Sequence, residues 1–327
     1  MHIFFPYNRL FPSVTHQAQF HAVHLPWVEI LSPNFMSMSD KHLYFGYGSN
    51  MDRADWVQWC SDHDADPSGL IEIGPAWLPD YTLQFHYFST SRKAGAADVV
   101  PSARGSVVPG LLFEVDDQTL RSIDIKEGLP YAYERRNVTV VDGNGRLRQA
   151  MTYTVQQHRC SEDYEQPHAS YVELIQRNLL RNNLPIEHLI LAIDNMHDKT
   201  FLNGVFVYGT LRQGESRSSI MDEASEGLME PASVRGTLYD HGAYPGLRAE
   251  GERNVVGEFY RCKDITDTLK RLDEIEGFSS YDDHEGLYHR AVLKVKTKEG
   301  ERWAWTYITN LSTSGENIIE SGDWKNR

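Results

Sequence analysis

Apolar positions recur along this chain in two rhythms, and one set of them occurs twice. Residues 43–51 (LYFGYGSNM) and 205–212 (VFVYGTLR) are short β-branched and aromatic runs. Such runs predict strands, and each enters Tyr-Gly-Ser/Thr, where the glycine predicts a turn that only a small residue can make. Residues 120–140 (LRSIDIKEGLPYAYERRNVTV) and 269–295 (LKRLDEIEGFSSYDDHEGLYHRAVLKV) form a second matched pair. Each predicts a short helix of the form Ile/Leu-Asp-x-x-Glu-Gly, then Tyr-x-Arg leading into a strand with alternating valines. A third pair, 109–116 (PGLLFEVD) and 256–261 (VGEFYR), puts a glycine before a strand that precedes each helix.

Matched segments in the same order predict two copies of one domain in tandem. The first copy carries about a dozen more residues between its turn and its Glu-Gly pair, a tolerable loop difference. The extra length falls near 89–104, rich in Ser, Ala and Gly. Between the copies the rhythm is helical. Residues 168–182 place Tyr171, Leu174, Ile175, Leu179 and Leu180 on one face, and Pro185 suits the first turn of a second helix reaching Met196. Both helices read as core packing. The expected domains are 39–197 and 204–327, with the polar stretch 198–203 as linker. Residues 1–38 lack either rhythm, and Pro6, Asn8 and Arg9 interrupt any signal-like apolar run. They are expected to be a disordered extension or a start placed too early, with Met36 or Met38 as the true one.

Length supports this division, since 327 residues suggest two domains. With 40% apolar and 24% charged residues the chain is ordinary for a globular protein, and no apolar run approaches a membrane span. The formal net charge of −14 repels phosphate backbones, so nucleic acid is not expected as a partner, and without a spanning run neither is a membrane. Cys60, Cys160 and Cys262 are odd in number and far apart, which fits neither a disulfide framework nor a zinc ribbon. They read as free thiols in a reducing compartment, the cytoplasm. The acidic segment SDHDAD (61–66) has no partners at metal-ligand spacing and reads as a solvated loop.

The repeated motifs carry a specific resemblance. GYGSNM at 46–51 followed by IDIKEG at 123–128 resembles the γ-glutamylcyclotransferase family. VYGTLRQG at 207–214, RGTLYDHGAYPGL at 235–247, VGEFY at 256–260 and LDEIEG at 272–277 resemble its AIG2-like branch, which includes γ-glutamylamine cyclotransferases. Tyr171 and NLP at 183–185 also resemble the family, whereas Asn178-Leu179 stands where the family usually has Gly-Ala. The likeness spans about 43–195 and 204–310. It implies an α+β fold of two tandem domains, each a small closed or nearly closed mixed β-sheet with flanking helices. It also implies a reaction in which the α-amine of a γ-glutamyl group attacks its own γ-carbonyl, giving 5-oxoproline and a free amine or amino acid, without a cofactor.

The residue types suit that chemistry. The attacking ammonium must lose a proton and the leaving nitrogen must gain one, and a single carboxylate within reach of both can shuttle it. Burial would raise its pKa toward working pH. The tetrahedral intermediate needs fixed donors for its oxyanion, which backbone N–H groups of a tight turn supply. By resemblance, Glu127 and Glu276 are the shuttles. Tyr47, Gly48, Ser49, Asn50 and Met51 form the anion-binding turn of the first copy, and Tyr208, Gly209, Thr210, Leu211 and Arg212 that of the second. Tyr133 and Tyr288 line the pockets. Asp124 and Asp273 read as helix-surface or capping groups. Ser49 is a poor candidate nucleophile, since G-x-S-x-G is absent and no His/Asp pair is identifiable.

Two alternatives stay open beside cyclotransfer: a non-catalytic or regulatory module binding a small carboxylate, and an enzyme that removes a γ-glutamyl protecting group in a biosynthetic pathway. The amine side of the substrate and the oligomeric state are not legible in the motifs. The pockets of the two copies differ, which predicts different substrates or one catalytic and one sensing copy.

Overall fold

A computed structural model describes residues 40–227, 229–283, 285–312 and 317–327. The expectation for residues 1–38 lies outside the described residues. The first half runs β1 (Lys41–Gly46), α1 (Arg53–Asp62), β2 (Ile71–Pro79), β3 (Tyr81–Ser89), β4 (Ala94–Pro101), β5 (Val107–Asp116), α2 (Asp117–Lys126), β6 (Tyr133–Asp142), β7 (Leu147–Val155), α3 (Ala169–Arg181) and α4 (Glu187–Ile193). The second half runs β8 (Gly204–Val207), α5 (Ser218–Ala224), β9 (Glu230–Arg235), β10 (Thr237–Asp240), β11 (Pro245–Arg248), β12 (Asn254–Arg261), α6 (Ile265–Glu276), β13 (Tyr288–Thr297), β14 (Gly300–Thr309) and β15 (Asn317–Ile318).

Each half closes a five-stranded barrel, β1-β5-β2-β6-β7 in the first and β12-β8-β14-β13-β9 in the second. Lettered in chain order within each half, both follow the cyclic order A-C-B-D-E. Both contain one parallel contact, Tyr44 beside Met151 and Val205 beside Trp305, in otherwise antiparallel sheets. Closure leaves no unpaired barrel edge. The shared strand order is topological evidence of duplication, independent of the motifs.

The extra length of the first copy folds as the β3–β4 hairpin, whose tip lies at residues 90–93. The second half has only short strands there, β10 paired with β11 and β15. The second inter-domain helix begins at Glu187 and ends at Ile193, shorter than the expected span from Pro185 to Met196. The chain leaves it at Asn195, whose φ is +55°. Between the halves, Leu202 is buried and Phe201 packs on the core, its ring 5.9 Å from that of His188.

The two barrels also pack on each other. The indole rings of Trp77 on β2 and Trp303 on β14 meet edge to face at 4.8 Å. Arg290 on β13 reaches Asp80 of the first half at 2.8 and 3.2 Å. The His289 ring lies 2.6 Å from the carbonyl oxygen of Gly145. All three cysteines are free, Cys60 and Cys262 buried.

Candidate active site

Strand β1 delivers Tyr47 and Gly48 to a 3₁₀ turn, Ser49–Met51. Crowding favours the glycine, and handedness does not require it, because its φ is −118°. A Cβ on Gly48 would sit 3.1 Å from the Tyr171 hydroxyl, and one on Gly209 would sit 2.6 Å from Cγ of Pro245. The Tyr47 hydroxyl donates to the Tyr153 carbonyl at 2.6 Å, and the Tyr208 hydroxyl to the Tyr307 carbonyl at 2.8 Å. Each turn is thereby fastened to the last strand of its own barrel.

Across from each turn stands the acid. Helices α2 and α6 start on Asp N-caps, Asp116 and Asp264, which accept from the backbone N–H of Thr119 and Asp267. They end at Glu127-Gly128 and Glu276-Gly277, where the glycines take φ of +67° and +68°. That left-handed conformation favours glycine and stops the helix at its glutamate. The motif spacing thus places a carboxyl at a helix C-terminus, facing the barrel end.

In the first half these groups surround a cavity of about 230 Å³, lined among others by Tyr47, Gly48, Ser49, Asn50, Glu127 and Tyr133. Asn50 Nδ2 donates to Glu127 Oε1 at 2.6 Å and to the Tyr44 hydroxyl at 2.8 Å, joining turn to acid. In the second half a cavity of about 80 Å³ is lined by Tyr208, Gly209, Thr210, Leu211, Glu276 and Tyr288. Twelve of the fourteen expected site residues therefore converge on two cavities.

The other two do not. Met51 is buried in the core, away from the first cavity. Arg212 is also buried, with Nη1 2.6 Å from Asp323 Oδ1 and Nε 3.4 Å from Glu258 Oε1. The third residue of each 3₁₀-like turn points inward, so its side chain serves the fold.

Burial raises both acids, as it does Asp273, whose carboxyl it pushes up to about 6 against the pull of Arg290, Tyr307 and Arg104. Burial pushes the Glu127 carboxyl above its ordinary value, while Lys126, the Asn50 hydrogen bond and Arg92 pull it back. Burial pushes Glu276 up to about 7, opposed only by Arg217. Burial likewise holds the Tyr47, Tyr133, Tyr208 and Tyr288 phenols above the ordinary tyrosine value, so they serve as neutral hydroxyls. Tyr133 donates to the Ala97 carbonyl and Tyr288 to the Pro245 carbonyl.

Asp124 and Asp273 are not helix-surface groups. Asp124 takes a hydrogen bond from Tyr153 at 2.7 Å and pairs with Arg135. Asp273 takes one from Tyr307 at 2.7 Å and pairs with Arg290 and Arg104 at 3.0 and 2.9 Å. The arginine of each Tyr-x-Arg segment thus holds the aspartate three residues before the acid. The whole pattern, Asp-x-x-Glu-Gly with Tyr-x-Arg, is a brace that fixes the acid's helix against the barrel.

Several lining residues escaped the motif reading. In the first cavity they are Tyr44, Tyr87, Tyr153 and Arg92, with Tyr171 known only as a core and family position. In the second they include Arg217, Tyr244 and Leu287. The alternation of β1 could have signalled Tyr44, but Arg92 sits on a hairpin tip with no period. Among the described residues, His86, Asp98 and Cys160 bring donor atoms within 4.8 Å of one another. Asp98 is already engaged there, accepting from the backbone N–H of Val99 and Val155 and lying 2.8 Å from the His86 ring.

Comparison with known proteins agrees with this geometry. The model of the family described as "Gamma-glutamyl cyclotransferase, AIG2-like" matches residues 44–173 and 205–326. The chain belongs to this family. Its two matched segments coincide with the two barrels and their acids. A curated relative from Niallia circulans, "Gamma-L-glutamyl-butirosin B gamma-glutamyl cyclotransferase", is 38% identical over 39% of this chain and 78% of its own. A "Putative gamma-glutamylcyclotransferase" of Vibrio cholerae is 37% identical over 38% of this chain and 96% of its own. "Gamma-glutamylaminecyclotransferase" of Rattus norvegicus is 32% identical over 30% of this chain and 66% of its own. Membership makes this chain an enzyme of the γ-glutamylcyclotransferase type, in a family that acts on small γ-glutamyl compounds. Among the described residues no helix is long and apolar enough to cross a membrane.

Proposed function

We propose that both halves convert γ-glutamyl amino acids or amines to 5-oxoproline and the free amine, with Glu127 and Glu276 as proton shuttles. The observation that carries this reading is the pair of acids, each raised by burial and each across a cavity from a Tyr-Gly turn. The carboxylate takes a proton from the substrate's α-amine, which then attacks the γ-carbonyl carbon. One C–N bond forms and the carbonyl oxygen becomes an oxyanion. Backbone N–H groups at the start of the turn, which lack intrahelical acceptors, receive that charge. Two protons pass in turn through the carboxyl from the attacking nitrogen, which starts as an ammonium, to the leaving nitrogen, so that collapse breaks the bond to the leaving nitrogen and yields a neutral lactam N–H and a free ammonium. No water is consumed. Ring closure is intramolecular, so the pocket needs only to hold the folded conformer.

The cavities support different leaving groups. The first is larger and edged by Ser89, Thr90 and Ser91, which suits a polar amine or amino acid. The second is small and edged by Pro245, Ile275 and Leu287, which suits a compact apolar amine. Removal of a γ-glutamyl protecting group belongs to the same reaction class, and one relative is named for cyclotransfer on γ-L-glutamyl-butirosin B.

The test is mass-spectrometric detection of 5-oxoproline from γ-glutamyl-alanine, γ-glutamyl-ε-lysine and glutathione. The parent chain, Glu127→Gln, Glu276→Gln and the double variant are run together. Each single variant is expected to lose one substrate set by about 100-fold or more, and the double variant both. A parent chain that binds 5-oxoproline but releases none from any substrate would replace this reading with a carboxylate-binding module.

A further inference from the structure

We infer that Arg92 and Arg217 are the residues that receive the substrate's α-carboxylate, one in each pocket, and so restrict both to true γ-glutamyl compounds. This rests on the proposed function and deepens it. Every γ-glutamyl substrate carries an α-carboxylate beside the attacking amine, whatever amine leaves. An anion brought into a semi-enclosed pocket needs a compensating cation or strong donors.

The duplicated machinery leaves no cation for that task. Arg135 is held by Asp124, and Arg290 by Asp80 and Asp273. Arg212 is held by Glu258 and Asp323. Lys126, which borders the first cavity, is bound to Asp55 at 2.5 Å. Among the described residues lining the first cavity, Arg92 is then the one guanidinium, and its hydrogen-bond partner is a neutral hydroxyl: Nη2 donates to Ser49 Oγ at 2.9 Å. Its Cζ lies 4.2 Å from the centre of the Tyr171 ring, so stacking stations the fork beside the turn. The remaining donors of that planar fork suit two-point contact with a carboxylate.

Among the described residues lining the second cavity Arg217 is the one cationic residue, and its backbone N–H donates to the Thr210 carbonyl at 2.9 Å. It shares no ancestry with Arg92 in the repeat. Arg92 stands on the tip of the β3–β4 hairpin, whose counterpart in the second half, the short β10–β11 pair, carries His-Gly-Ala-Tyr (241–244) and no arginine at its tip. Arg217 comes just before α5, and the position at the same distance from the turn tyrosine in the first half is the fully buried Trp56. Two unrelated elements thus bring one arginine each to the rim of equivalent pockets. An inherited framework residue would occupy the same place in both copies.

The test uses the full chain with one pocket silenced, Arg92→Ala in the Glu276→Gln background and Arg217→Ala in the Glu127→Gln background. Each is compared with its background on γ-glutamyl-alanine and on 4-aminobutyryl-alanine, which keeps the amine and the γ-carbonyl but lacks the α-carboxylate. Loss of the arginine is expected to raise KM for γ-glutamyl-alanine at least tenfold. 4-Aminobutyryl-alanine should lose only the part that the change at the neighbouring glutamate takes from both substrates, so the preference between them collapses, and Arg→Lys should restore part of it. An equal loss on both substrates would mean a structural role and overturn the inference for that pocket. Calorimetry with 5-oxoproline and 2-pyrrolidinone gives a readout that needs no turnover. Arginine-dependent binding of 5-oxoproline by a chain that releases no product would sustain this subsite while removing the cyclotransferase reading. Binding unchanged by Arg→Ala, or absent from the parent chain, would overturn the subsite.

Discussion

Glu276 and Glu127 occupy matching places but differ in what surrounds them. Glu127 is restrained by the Asn50 amide, by Lys126 and by Arg92, whereas Glu276 has only Arg217 to oppose its burial and rises to about 7. In the proposed reaction the glutamate must begin as a carboxylate to accept the amine's proton. Second-domain kcat/KM, measured in the Glu127→Gln variant, is therefore expected to rise with pH through about 7 and to fall off below it. The first-domain limb is likewise raised by burial of Glu127, with Lys126, the Asn50 hydrogen bond and Arg92 pulling it back. A flat profile for the second domain between pH 5 and 8 would exclude Glu276 as the base. At this scale the sequence motifs located both acids and both turns. They could not separate Met51 and Arg212 from their neighbours, because a turn residue's facing depends on the backbone path and not on its spacing.

Asp52 shows how an element is tied to the site. It caps α1 by accepting from the Asp55 N–H at 2.9 Å and also accepts from Arg177 and Asn178 of α3. Burial alone would raise its carboxyl, yet these bonds carry it down to about 2. Asn178, the departure from the family's usual Gly-Ala, is thus what docks α3 onto α1. That helix brings Tyr171 over the turn and under Arg92. Asp52→Ala is expected to cost about 2 kcal/mol in urea unfolding, and to raise first-domain KM while leaving the second domain unaffected. Asp52→Asn, which keeps an acceptor for the cap, should cost less. The apolar face of α3 was readable from its period, but its polar dock was not, because Asp52 and Asn178 are far apart in sequence.

The whole molecule is asymmetric although its halves share one topology. In the first half Arg135 is partly open to water, 35% exposed at the side chain, and pairs with Asp124 alone. In the second half Arg290 is 2% exposed and is shared between Asp273 and Asp80, so the first half helps to hold the second acid's helix. The rings of Phe278, Tyr281 and Trp305 lie within 5.6 Å of the Arg290 guanidinium. Removing one partner of a buried pair strands a charge, whereas an exposed pair contributes little. Arg290→Met is expected to lower stability by about 3–5 kcal/mol, and Arg135→Met by about 1 kcal/mol or less. Chemical denaturation of the two variants checks the ordering, and equal costs would contradict it.

What the sequence by itself determined was the repeat, its α+β class, the two Tyr-Gly turns and the two acids, since each is carried by local spacing and by residue types with few other uses. Strand periodicity and the Glu-Gly stop are short-range properties of the backbone. Tertiary structure alone decided the rest: the closing order of the barrels, the burial that raises Glu276, the conversion of Asp124 and Asp273 from apparent surface groups into braces, and the delivery of Arg92 and Arg217 to the pockets. Each of these depends on residues that meet only after the chain has closed on itself, and burial and charge pairing are properties of that meeting.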